Sequence, residues 1–373
     1  MRILMLLSRL DQTGMTTHTI DLAEALVRKR HDVTVLVGYH NSPDEIERQL
    51  MNRLKITGVN IKTFFAPNRN SKFQLVKSGI SLILNLLKSR GLIHVQSPYL
   101  SWAPWLLRRK FVSTLHVADL VECPYYKNAT HLIAISRETA EYARKVFKYK
   151  DSDITIVNHG VSPEFAKFMT PNQITATRHE LNLPVNKLLL TLVGSIEPRK
   201  GHDILLQAVA QLPKECQDKI HIVFLGSDKT ENKCNIKWLK DMIARTNTAN
   251  IVSHFEYQDS KLFYKISDIF ILPSWLEGFP LVVIEAMLSG NLCIRTDSEG
   301  AFEQIADGQT GFIFPKGDIA SLTGILEKII RDDAYRLRIA ENGRNHALKN
   351  FTSDFMAENT LKVYSTITKN EQK

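Results

Sequence analysis

Glu277 and Glu285 are two carboxylates with seven residues between them, in the stretch Ser274-Trp-Leu-Glu-Gly-Phe-Pro-Leu-Val-Val-Ile-Glu285. The apolar run before them, Asp268 to Pro273, reads as a buried parallel strand, and the residues after Pro280 read as a helix running to Gly290. Pro280 suits the first helical position, so Glu277 falls in the loop ahead of the helix, after which Gly278 carries the turn. Glu285 then lies about one and a half turns inside the helix. The backbone N–H groups of Phe279 and of Leu281 to Val283 are expected to face the same space, and a helix N-terminus with its dipole is a seat for an anion. Carboxylates accept hydrogen bonds from hydroxyls while amides receive phosphate, so the layout suits a ligand with hydroxyls at both ends and phosphates between. A nucleotide sugar is such a ligand. A second candidate loop, Gly194-Ser195-Ile-Glu-Pro-Arg199-Lys200-Gly201, also follows a strand and opens a helix. Arg199 and Lys200 there would neutralise the charge growing on a departing nucleoside diphosphate. The loop is not a Walker A sequence and lacks the three-glycine dinucleotide fingerprint, which weighs against NAD. His116 stands just past another buried strand, in Thr114-Leu-His-Val117.

Glu277 and Glu285, followed by Ala286-Met287, resemble the E-x7-E signature of family 4 retaining glycosyltransferases, which have the GT-B architecture. The resemblance implies that Glu277 contacts the transferred sugar and Glu285 the ribose of the nucleotide. Lys200-Gly201 matches the family's Lys-Gly pair, whereas Ser195 stands where relatives usually carry an Arg, a charge that Arg199 would supply. His116 falls where a family histidine touches the donor sugar. Gly14 lies in the loop after the first strand, with Met15 where relatives commonly have a second glycine. Asn158-His159-Gly160-Val161 is similar to the family's Asn-Gly-Val lead-in to the interdomain hinge. The loops near Gly226 and from Ser253 to Tyr257 are where the resemblance puts the base, with UDP the prior choice. The implied reaction is metal-independent transfer of a hexose or N-acetylhexosamine, without a cofactor, to a glycan or lipid-linked acceptor in cell-surface polysaccharide or glycoconjugate synthesis. Its implied mechanism is front-face, the leaving diphosphate taking the acceptor's proton.

Positioning these groups requires two alternating strand and helix series, the signature of parallel sheets covered on both sides. In the first, strands are expected at Arg2–Leu7, Val33–Val37, Ile61–Phe65, Leu92–Val95, Phe111–Leu115, Leu132–Ile135 and Ile154–Val157, with a helix from Thr16 to Arg30. Between the third and fourth, Gln74, Lys77, Ser78, Ser81, Asn85 and Lys88 form a polar stripe at helical spacing. Phe73, Val76, Ile80, Ile83 and Leu87 lie opposite, which reads as a helix lying on the sheet. From Asn158 to Asn186 prolines and polar residues break the pattern. A second series follows, with strands at Leu188–Val193, Ile220–Leu225, Ile251–Phe255, Ile269–Leu272 and Leu292–Arg295. The expected fold is therefore α/β, two doubly wound Rossmann-like domains facing across a cleft, as in GT-B. Residues 1–165 form the acceptor-side domain, 166–352 the nucleotide-sugar domain, and 353–373 a helix crossing back, with Phe355, Leu361 and Tyr364 to bury.

The 373 residues, 44% apolar and 23% charged, are typical of a globular enzyme with more than one core. The formal charge of +9 would suit nucleic acid, an anionic membrane face or a phosphate-rich ligand, and the lack of any nucleic-acid recognition motif weighs against the first. No apolar run approaches the ~20 residues that cross a bilayer. The N-terminal apolar run lacks a cleavage site and reads as a strand. Cys123, Cys216, Cys234 and Cys293 make no Cys-x-x-Cys pair, which points to free thiols in a reducing, cytoplasmic setting. Asp151-Ser-Asp153 reads as a surface turn, and no metal is expected. Trp102, Trp105 and the run Arg108–Lys110 combine aromatic anchors with cations that would suit peripheral contact with the inner face of the cell membrane. The rival functions are a sugar-nucleotide epimerase of similar fold, which would need an acid and a base about one sugar carbon, and a non-catalytic nucleotide-sugar-binding partner.

Overall fold

The computed structural model describes residues 1–39, 44–66, 72–121, 123–256 and 258–369. The chain divides into two compact units, Met1–Val161 with Phe351–Lys373, and Ser162–Asn350. The first unit is built on a seven-stranded sheet in the order β3-β2-β1-β4-β5-β6-β7. Its strands are β1 (Arg2–Leu7), β2 (Asp32–Tyr39), β3 (Asn60–Phe65), β4 (Leu92–Val95), β5 (Phe111–Leu115), β6 (His131–Ala134) and β7 (Ile154–Ile156). The second unit has a six-stranded sheet in the order β10-β9-β8-β11-β12-β13. These are β8 (Leu188–Val193), β9 (Ile220–Leu225), β10 (Val252–Phe255), β11 (Ile269–Leu272), β12 (Leu292–Thr296) and β13 (Phe312–Phe314). Every ladder is parallel. Strands such as Phe111–Leu115, Ile220–Leu225 and Ile269–Leu272 are buried along their whole length, as expected of predominantly apolar strands covered on both faces. In each sheet the strand order reverses once, between β1 and β4 and between β8 and β11. Loops leaving the carboxyl ends of such a pair diverge, and the opening between them is where ligands of doubly wound sheets sit.

Several elements depart from the sequence reading. The stretch read as broken between Asn158 and Asn186 contains a helix, Pro171–Glu180, with Pro171 in its first turn and a Thr170–Gln173 capping box. The helices Glu45–Ile56, Ile319–Arg331 and Asp333–Asn350 and the strand β13 were not anticipated. Pro280 is the N-cap and not the first helical residue; at ψ 121 its backbone is extended, so the helix is Leu281–Leu288. The helix Ser353–Lys369 buries Met356, Ala357, Val363, Tyr364 and Ile367, while Phe355 stays 38% exposed.

The largest departure concerns the helix Lys72–Lys88. It forms as expected, but its apolar stripe does not lie on the sheet. Leu82 and Leu86 are buried and Ile83 of the expected stripe packs partly against the same core, whereas Phe73, Val76, Ile80 and Leu87 are 57–79% exposed. Part of the polar stripe faces inward instead: Phe65 N–H donates to Ser81 Oγ at 3.1 Å and Asn85 Nδ2 donates to Thr63 O at 3.4 Å. The exposed edge of β3 has backbone groups that need partners, and hydroxyl and amide side chains supply them where leucines could not.

Candidate active site

In the second unit the loops Gly194–Gly201 and Pro273–Pro280 leave the carboxyl ends of β8 and β11, the pair that straddles the reversal of strand order. Lys200 Nζ donates to Glu277 Oε1 at 2.6 Å, with side chains 14% and 11% exposed, so the two loops are joined by a largely desolvated ion pair. The lysine stem runs over Gly194, where an added Cβ would lie 3.6 Å from its Cδ and Cε. Gly201, directly after Lys200, is left-handed at φ +73, and a Cβ there would stand 2.1 Å from Pro273 O. Only glycine lets the first loop pass so close to the second. Gly226, at the end of β9, is similarly tight: a Cβ would lie 1.7 Å from Gly194 O.

Arg199 braces the same two loops. Its guanidinium donates to Leu276 O and Glu197 Oε1, each at 2.8 Å, and Trp275 N–H donates to Arg199 O at 2.9 Å. Ser195 Oγ donates to the same Glu197 oxygen at 2.7 Å. Burial pushes the Glu197 carboxyl up, but the Ser195 hydrogen bond and the Arg199 and Lys200 charges outweigh it and hold it below the ordinary range. Glu197 therefore organises Ser195 and Arg199, a role the sequence reading did not assign; its signal was its place beside both in the loop.

The helix Leu281–Leu288 begins beside Glu277, with Gly278 half-buried and Phe279 and Pro280 buried. Its N-cap residue, Pro280, makes no side-chain cap hydrogen bond, and Gln304 Nε2 donates to Pro280 O at 2.9 Å to hold the turn. Gln304 is oriented in turn by Arg295, which is wholly buried and also binds Ser298 O and Glu299 O. Glu285 is 7% exposed and accepts from Tyr264 Oη at 3.0 Å. The two glutamates thus sit in different settings: Glu277 on a lysine at the loop, Glu285 on a phenol deeper in the helix. Tyr257, one end of the stretch assigned to the base, lies outside the described residues.

In the first unit His116 follows β5 and belongs to a cluster. Its Nδ1 is 3.3 Å from His159 Nε2 and its Nε2 3.1 Å from Gln96 Oε1. His18 packs on both rings, at centroid distances of 4.9 and 4.5 Å. His94, in β4, is fully buried and bonded to Tyr364 Oη at 2.6 Å and Thr114 Oγ1 at 2.7 Å. Burial, then the neighbouring histidines, holds His18 and His116 well below the usual imidazole range, and burial lowers His94 to about 3. Neutral rings can donate or accept at one sugar hydroxyl without adding charge. His18 and Gln96 were missed by the sequence reading, although His18 follows Gly14 by one helical turn. Gly14 itself opens the helix Gly14–Arg28, with open space where its Cβ would be. The Asp151–Asp153 segment is a turn in which Arg144 Nε bonds Asp151 at 2.5 Å. No group of three or more His, Cys, Asp or Glu suited to a metal ion occurs among the described residues.

Comparison with known proteins places this geometry in a family. The model for Glycosyltransferase Family 4 matches residues 12–165, and that for Glycosyl transferases group 1 matches residues 173–346. A D-inositol 3-phosphate glycosyltransferase of Stackebrandtia nassauensis is 28% identical over 240 residues, 62% of this chain and 53% of that protein. The capsular polysaccharide biosynthesis glycosyltransferase CapM of Staphylococcus aureus is 29% identical over 246 residues, 65% of this chain and 63% of CapM. The chain thus spans between half and two-thirds of the length of these relatives. The fold is that of Anabaena HepE, solved in complex with UDP, at a TM-score of 0.82 and 20% identity, with 98% of this chain and 100% of that one covered. With both halves matched in order and two parallel-sheet units of GT-B type, the chain belongs to the family 4 glycosyltransferases.

Proposed function

We propose that this chain is a metal-independent, retaining glycosyltransferase that moves a hexose or N-acetylhexosamine from a nucleoside diphosphate sugar to the hydroxyl of a glycan or lipid-linked acceptor. The observation that carries the reading is the Lys200–Glu277 pair at the reversal point of the second sheet, beside the N-terminus of the helix Leu281–Leu288. Lys200 and the helix amides supply positive potential for a diphosphate, and Glu277 an acceptor for sugar hydroxyls. The UDP carried by the HepE complex supports a uridine donor. In the proposed step the bond from the anomeric carbon to the diphosphate oxygen breaks and the acceptor oxygen bonds that carbon on the same face. The acceptor's proton passes to the departing diphosphate, so no side chain need act as nucleophile. Arg199, already tied to Glu197 and Leu276, acts by holding the two loops together. Glu285 would meet the ribose, and His116 the donor sugar.

The test is incubation with labelled UDP- and GDP-sugars, with and without a crude glycan or lipid acceptor fraction. Acceptor-dependent release of nucleoside diphosphate is expected. Isomerised sugar nucleotide, or binding without turnover under every condition, would overturn the proposal. Glu277→Gln is expected to cut kcat far more than nucleotide affinity, and Glu285→Ala chiefly to weaken the nucleotide. Equal, negligible effects of both would reject these roles.

A further inference from the structure

We infer that the outward face of the helix Lys72–Lys88 is a docking surface for an anionic lipid bilayer. Phe73, Val76, Ile80, Leu84 and Leu87 recur at helical spacing along one side and are 49–79% exposed, while Leu82 and Leu86 on the opposite side are buried. A continuous apolar stripe of this kind marks an interaction site, unlike scattered exposed leucines. The helix is held in this orientation from behind. Ser81 and Asn85 bond the backbone of β3, and Arg109 donates to Leu86 O and Ser89 O at 3.0 Å and to Gly91 O at 2.8 Å, closing the helix C-terminus. Rotating the stripe inward would break all of these bonds.

Charge identifies the occupant. From Arg48 to Ala118 the sequence holds twelve Lys and Arg and no Asp or Glu, although the whole chain is only +9, so the basicity of the protein is concentrated here. Lys72, Lys77 and Lys88 on the helix and Arg90 just beyond it are exposed. The neighbouring turn of helix, Trp102–Leu106, packs Trp102 against Gly79 and exposes Trp105 and Leu106, with Arg108 and Lys110 following, both exposed. An apolar stripe bordered by cations and interfacial tryptophan matches a membrane surface with anionic headgroups. A second copy of this chain would bring two basic faces together, which disfavours a homodimer through the stripe. The inference rests on this surface alone and stands or falls independently of the glycosyl-transfer reading.

Flotation of the full chain with phosphatidylcholine vesicles, with and without phosphatidylglycerol, tests it. Binding to the anionic vesicles and its loss at high salt are expected. Val76→Glu/Ile80→Glu, at exposed positions that leave the melting temperature unchanged, is expected to abolish binding. Lys77→Ala/Lys88→Ala, which leaves the apolar stripe whole, is expected to weaken it on the order of tenfold. Equal flotation with neutral and anionic vesicles, no flotation with either, or flotation indifferent to Val76→Glu/Ile80→Glu overturns the inference. So does a doubling of solution mass with protein concentration that Val76→Glu/Ile80→Glu prevents.

Discussion

Removing the Lys200–Glu277 pair one partner at a time should show how much the reversal point of the second sheet depends on it. Unit charges 2.6 Å apart attract by roughly 6 kcal/mol at an effective dielectric of about 20. Burying both groups takes back most of this, leaving a coupling of about 1–3 kcal/mol. Lys200→Met keeps the stem that crosses Gly194 but strands Glu277, 11% exposed, without its partner. It should therefore cost about 2–3 kcal/mol, and a domain of this size should lose about 4–10 °C in melting temperature. Glu277→Gln keeps an acceptor for the ammonium and should cost less, about 1–2 kcal/mol. The double variant should be more stable than the sum of the single losses requires, because neither charge is then stranded. Scanning fluorimetry of the four proteins gives the cycle, and repeating it with UDP reads the site directly: Lys200→Met should weaken UDP by about tenfold or more, Glu277→Gln far less. Single effects that add to within about 0.3 kcal/mol would mean that the contact carries no coupling, and the reasoning would fail.

Acid should destabilise the first unit. His94, held at about 3 by burial, stays neutral when folded but protonates in the unfolded chain below its ordinary pKa of about 6.5. The unfolded state therefore binds more protons between these values, and stability falls as pH falls, by about 2 kcal/mol at pH 5 for this one ring. His18 and His116 act in the same direction, and melting curves from pH 8 to pH 5 for the parent and His94→Gln should differ in slope by about one proton; parallel curves would contradict this account. Gly201→Ala should lower the melting temperature and weaken UDP together, since its φ of +73 and the 2.1 Å approach to Pro273 O leave no room for a methyl group beside Lys200. The left-handed backbone alone costs about 1–2 kcal/mol, and an unchanged protein would show that the two loops can part freely.

Much of this was legible in the sequence because buried parallel strands are written as predominantly apolar runs. Phe111–Leu115, Leu188–Val193, Ile220–Leu225 and Ile269–Leu272 have their expected bounds, since each run is flanked by polar or turn residues. Placing Lys200 and Glu277 in loops at carboxyl ends of strands was within reach of the sequence, but their ion pair was not, because only the strand order makes those strands neighbours. What was not legible depends on contacts distant in sequence. The Glu197 hub takes a hydrogen bond from Ser195 and an ion pair from Arg199; both partners stand out in the sequence, but Glu197 between them carries no motif of its own. The histidine cluster draws His18, His116 and His159 from three separate segments. Pro171–Glu180 was hidden because proline punctuates loops and helix starts alike, and only the Thr170–Gln173 box distinguishes them.

The helix Lys72–Lys88 shows a different limit. Helical periodicity fixes which residues share a face, but it does not say whether that face turns toward the sheet or away from it. In most surface helices burial of the apolar stripe decides the matter. Here two leucines, Leu82 and Leu86, suffice to seat the helix, while Ser81, Asn85 and Arg109 satisfy backbone groups of β3 and of the helix end that an inward apolar face would leave bare. Those bonds set the rotation, and the stripe is left outside. An arrangement that exposes five large apolar side chains to water carries a free-energy cost of several kcal/mol relative to burying them. A partner that covers the stripe removes that cost, and the absence of acidic residues from Arg48 to Ala118 makes an anionic surface the partner that the neighbouring charges favour.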